Sequence, residues 1–201
     1  MSFGDTCGDP APSRRTGQGS VAWSSWLRAF VARARGVGFL LRSLFQARSE
    51  VGGIEIRGRQ AFCDQVAAAL RLLRTEVPEA FALCQRHFDL VIMSRHSGVD
   101  VGMRPAIVML GEPASTVSMA YLASDLAHEA MHCSLYRSYS DRDPDRDVPA
   151  AIYSGEDAER QCLEYQISVL KQLGETDADA SRLRDLMKTK WWNVPWHERT
   201  W

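Results

Sequence analysis

The segment His128-Glu129-Ala130-Met131-His132 sets two imidazoles four residues apart among helix formers, with Leu122, Ala123, Leu126 and Ala127 preceding it. On a helix, positions i and i+4 lie one turn apart on a shared face. A helix with so many small and apolar side chains belongs in a core, where an unpartnered imidazole is costly. The fold must therefore deliver a partner to this pair. Zinc accepts imidazole nitrogen readily, and its catalytic sites use three protein ligands and a water. Glu129, next to the first histidine, can accept a proton from that water as general base. The plainer alternative is two core histidines satisfied by carbonyls beside a surface glutamate.

The chain resembles the HExxH metallopeptidases, the zincins, over residues 120–173. In the metzincin branch the motif continues with a glycine and a third histidine, but Leu135 and Ser138 stand at those positions. The remaining large branch, the gluzincins, takes its third ligand from a glutamate on a following helix, often as Glu-x-x-Ala. The resemblance implies a zinc metallopeptidase with a zincin-like α+β fold. Such a fold is mostly helical, with a small mixed or antiparallel sheet packed on the motif helix and the glutamate-bearing helix.

Three glutamates compete for the third position: Glu156, Glu159 and Glu164. Ala158, Cys162, Gln166, Val169 and Leu173 define an apolar helical face centred near Cys162. At about 100° per residue, Glu159 sits roughly 60° from that centre, Glu156 roughly 120° and Glu164 roughly 160°. Glu159 ranks first and Glu156 second, and Cys162 takes the place of the family's usual alanine. Asp125 and Gln166 are candidates to orient the histidines. Tyr136, Tyr153, His96 and His197 are candidates to stabilise an oxyanion, a task the family gives to a tyrosine or histidine. In zincins the strand before the motif helix is an open edge that binds extended peptide, so by analogy 106–110 takes that role. A pocket built around Met103 or Met109 would favour apolar side chains.

Around this centre the pattern predicts a short strand at 54–56, a helix over 59–74 and another from Pro78 to about His87. Strands follow at 90–93 and 105–110. The motif helix is capped by Ser115 or Ser118 and extends to about Tyr139, and further helices cover 155–173 and 179–190. Residues 141–147 alternate aspartate with other residues, but Arg146 stands where a calcium loop needs glycine, so a solvated loop is expected. The domain is expected over 49–190. Residues 1–20 read as a disordered tail, 21–48 as one or two amphipathic basic helices, and 191–201 as a tryptophan-rich tail.

The formal net charge of −1 removes the field that would gather nucleic acid. The five cysteines form no CxxC pair, which fits small core residues in a reducing compartment and points to the cytoplasm. A protein or peptide substrate is expected. Residues 21–45 and 191–201 offer contact with a partner protein or a membrane surface. Two other functions fit the same residues: a zinc-binding regulatory or scaffold protein with little or no catalysis, and an amidohydrolase acting on a non-peptide bond. Glu129 argues for catalysis, because a structural zinc site has no use for a base.

Overall fold

The computed structural model describes residues 46–95, 97–111, 118–142, 146–174, 177–190 and 192. The segments 1–20 and 191–201, apart from Trp192, and nearly all of 21–48 lie outside the described residues. Among the described residues, five strands and six helices follow one another: β1 (Ala47–Val51), β2 (Ile54–Gly58), α1 (Gln60–Glu76), α2 (Pro78–His87), β3 (Phe88–Met93), β4 (Gly98–Asp100), β5 (Ala106–Leu110), α3 (Met119–Ser140), α4 (Ala150–Ser154), α5 (Glu156–Gln172) and α6 (Asp177–Lys188). The architecture is α+β, with helices packed on a mixed five-stranded sheet.

The sheet order is β1-β2-β3-β5-β4. β2, β3 and β5 run parallel, and an antiparallel strand lies at each edge. β1 and β2 form a hairpin closed by Gly52 and Gly53, whose φ values of 59° and 88° suit the tight turn between two right-twisted strands. The hairpin claims Ala47 and Arg48 for a strand, so the expected basic helix does not extend through them.

Along β5, Ala106, Val108 and Leu110 are buried while Ile107 and Met109 are half-buried, the period of two expected when one face meets a core. Ile54 and Ile56 repeat the pattern on β2. These residues pack with Phe62, Leu70 and Leu73 of α1, Phe81 of α2 and Leu126 of α3. Cys63, Cys84, Cys133 and Cys162 are buried free thiols. A smaller cluster of Ala120, Leu163, Ile167, Leu170, Ala180 and Leu183 joins α3, α5 and α6.

One expectation is corrected here. β5 is not an open edge: β3 and β4 hydrogen-bond to its two sides. Among the described residues, the unpaired edge on that side of the sheet belongs to β4, a three-residue strand too short to show a β pattern.

Candidate metal centre

α3 is buried nearly all round, with Ala120, Leu122, Ala123, Leu126, Ala127, Ala130 and Cys133 inside the core. Ser118 caps it by accepting from the Tyr121 N–H at 3.0 Å. Burial extends to His128, Glu129 and His132. Glu159 on α5 meets the histidines, and farther along the same helix Gln166 approaches Ser124. Positions rise along α5 as they fall along α3, so the two helices run antiparallel.

The donor atoms converge. Nε2 of His128 and Nε2 of His132 are 2.9 Å apart, and Oε2 of Glu159 lies 3.8 Å from the first and 3.5 Å from the second. All three donors fall within 4.8 Å of one another. A tetrahedral ion with bonds of about 2.0–2.1 Å separates its ligands by about 3.3–3.4 Å, and the observed separations straddle that value.

Polar satisfaction makes the same demand. His132 Nδ1 is 2.5 Å from the Tyr153 carbonyl oxygen; as the donor, it leaves Nε2 with a lone pair aimed at the cluster. Glu159 Oε2 and His128 Nδ1 are buried and have no hydrogen-bond partner among the described residues. A carboxylate oxygen held among lone pairs away from water is costly. A cation between the three donors removes the cost at Glu159. This buried His-His-Glu group could bind a metal ion.

Burial and the neighbouring His132 push His128 well below the ordinary histidine range, whereas His132, although burial opposes it, is held well above that range with help from the Glu159 carboxylate. Burial pushes Glu129 up to about 8, opposed by His132 and assisted by Asp125 and Glu159. The Cys162 thiol is buried beside His132.

A cleft of about 930 Å³ opens over the cluster and includes His128, Glu129, His132 and Glu159 in its lining. Ser97 to Val99, at and before the β4 edge, form part of its wall, and α6 contributes Leu183 and Leu186. Neither Met103 nor Met109 is among the described residues that line it.

Of the competing glutamates, Glu159 is 2% exposed. Glu156 is exposed and pairs with Arg160 at 3.6 Å, and Glu164 is exposed. Asp125 and Gln166 both line the cleft. Gln166 is buried near His128 and works to raise that ring's pKa, while Asp125 is pushed up to about 6 by burial. Tyr153 lines the cleft, and its ring packs edge-on against Tyr136 with centroids 5.1 Å apart. Its main-chain carbonyl orients His132. His96 and His197 lie outside the described residues.

Among the cleft residues that the sequence did not single out are Tyr121 and Arg182. Tyr121 is one turn before Asp125 on α3, so the helical spacing that identified the motif face could have found it. Arg182 sits one position before Leu183 on the apolar face of α6, but no local signal ties α6 to the site.

Comparison of the chain with protein-family models, with curated proteins and with solved structures returned no match.

Proposed function

We propose that this protein is a zinc-dependent peptidase, with His128, His132 and Glu159 as ligands and Glu129 as general base. The observation that carries the reading is Glu129, a buried carboxyl beside three converging donors in a cleft open to solvent. A structural zinc site is closed by four protein ligands, whereas three ligands and an open cleft leave room for water and substrate. Zinc bound here supplies Lewis acidity and activates water.

The chain's own residues supply the rest. His132 is held by the Tyr153 carbonyl so that Nε2 faces the cluster. Glu129 takes up a proton during attack and can return it to the leaving amine. The free edge of β4 offers main-chain groups to an extended peptide, giving sequence-tolerant binding beside the centre.

The decisive comparison is wild type against Glu129→Gln on a peptide library, with metal content measured in both. Turnover is expected to fall by about 100- to 10,000-fold in the variant, with metal retained. Equal turnover would remove Glu129 as base. A wild type that binds metal but cleaves no peptide would defeat the peptidase reading.

A further inference from the structure

α6 presents Arg182, Leu183, Leu186 and Thr189 to the cleft that holds the His-His-Glu group. Their spacing of one, three and three residues puts them on one side of the helix. Leu183 is 1% exposed and fixes that side against Leu163 and Leu170, while Arg182 is exposed to the cleft. The Arg182 guanidinium carbon lies 6.0 Å from the centroid of the Tyr121 ring. An aromatic face at that range attracts the cation while leaving its N–H edge able to donate.

Asp185, which also lines the cleft, holds Lys188 at 2.7 Å. Elsewhere, Arg57 is paired with Glu55, Arg104 with Asp141, and Arg160 with Glu156 and Asp157. Among the described residues, Arg182 has no carboxylate within ion-pair distance; its recorded partner is the Tyr121 ring. Asp125 and Asp179 stand near the same ring, but neither makes an ion pair with Arg182.

We propose that Arg182 is a specificity residue that receives a carboxylate of the substrate, from either an Asp or Glu side chain or a peptide C-terminus. This rests on the peptidase reading and deepens it by naming a substrate class. A planar guanidinium pairs with both oxygens of a carboxylate, and such a charge-assisted pair is stronger in a partly enclosed cleft than in open water. Leu186 beside it, 36% exposed, places an apolar side chain next to the substrate's acidic group.

The test is a binding selection on zinc-loaded Glu129→Gln protein, in which the proposed base is removed. The probes are randomised hexapeptide libraries with either free or amidated C-termini, and retained peptides are identified by mass spectrometry. Carboxylate-bearing peptides should be enriched on the order of tenfold, matching a charged hydrogen-bonded pair. Enrichment of Asp and Glu in the amidated library identifies side chains as the source. Enrichment confined to the free-acid library identifies the terminus.

Adding Arg182→Ala should abolish the enrichment, and adding Arg182→Glu should turn it toward Lys and Arg, with zinc content unchanged in both. No enrichment, no retention, or the same enrichment after Arg182→Ala overturns the proposal. Wild-type hydrolysis is read separately. Carboxylate selection without hydrolysis would defeat the peptidase reading and leave Arg182 standing; hydrolysis without carboxylate selection would do the reverse.

Discussion

His132 Nδ1 stands 2.5 Å from the main-chain oxygen of Tyr153, a residue carried by the five-residue helix α4 and 21 positions further along the chain. A helix too short to be stable alone thus fixes the ring of a candidate ligand. Its position depends on Gly155, which joins α4 to α5 and accepts the Glu159 N–H at 2.9 Å.

A Cβ at position 155 would lie 2.8 Å from the Ala151 oxygen and 2.9 Å from its Cα. Those are main-chain atoms and cannot rotate aside, so Gly155→Ala must displace α4 from α5. Metal affinity is expected to fall by about 10- to 100-fold, the usual effect of disturbing a group that orients a ligand. Competition against a chelator of known affinity measures this, and circular dichroism checks that the fold persists. Unaltered affinity would contradict the role given to the Tyr153 carbonyl.

Glu159→Ala should cost more metal affinity than Gly155→Ala, because it removes a donor instead of tilting one. Glu156→Ala should cost little, since that carboxylate is exposed and its ion pair with Arg160 is at the surface. Titration of the metal-free variants separates the two. A larger loss for Glu156→Ala would reassign the third ligand.

Asp125 is pushed up to about 6 by burial, with His132 opposing the shift. Its folded-state pKa exceeds the ordinary 3.8, so the folded chain holds this proton more tightly than the unfolded chain. The resulting stabilisation is complete below about pH 4 and is lost as pH rises through about 6. Asp125→Asn should therefore stabilise metal-free protein by up to about 2 kcal/mol at pH 8 and have little effect at pH 4. Urea melts at the two pH values measure it. An equal effect at both would exclude titration of Asp125 as the cause.

Gly58 ends β2 where the chain enters α1. A Cβ there would meet Phe62 Cδ1 at 2.5 Å and Met93 Cβ at 2.9 Å. Both neighbours belong to the packing between the sheet and α1, so Gly58→Ala should destabilise by about 1–3 kcal/mol. The denaturation midpoint reports the loss, and an unchanged midpoint would show that Phe62 has room to move.

The chain's long elements were legible because periodicity and caps act locally. Ser118, the apolar run through Ala130 and the breaks around Pro78 and Gly174 delimit helices close to the expected bounds. Glu159 was legible for a related reason: a donor must face the same core as its apolar neighbours, and Ala158, Cys162 and Gln166 mark that direction. β1 was missed although Gly52-Gly53 is a hairpin signal, because the basic pattern before it suggested a continuing helix. β4 and α4 are three and five residues long and carry no period. Their positions are set by pairing with β5 and by packing against α3 and α5. The analogy with zincins put the open edge on β5, where β4, carrying no sequence signal, in fact pairs; α4 carries none either, so the backbone carbonyl of Tyr153 was not among the expected groups.

The central claim is one catalytic metal ion held between α3 and α5, and anomalous diffraction at the zinc edge from zinc-loaded crystals tests it most directly. The account predicts one dominant peak per chain, about 2.0–2.2 Å from His128 Nε2, His132 Nε2 and a Glu159 carboxylate oxygen, with Glu129 outside bonding range. No peak among those three residues, or a fourth protein side chain closing the coordination sphere, would contradict it.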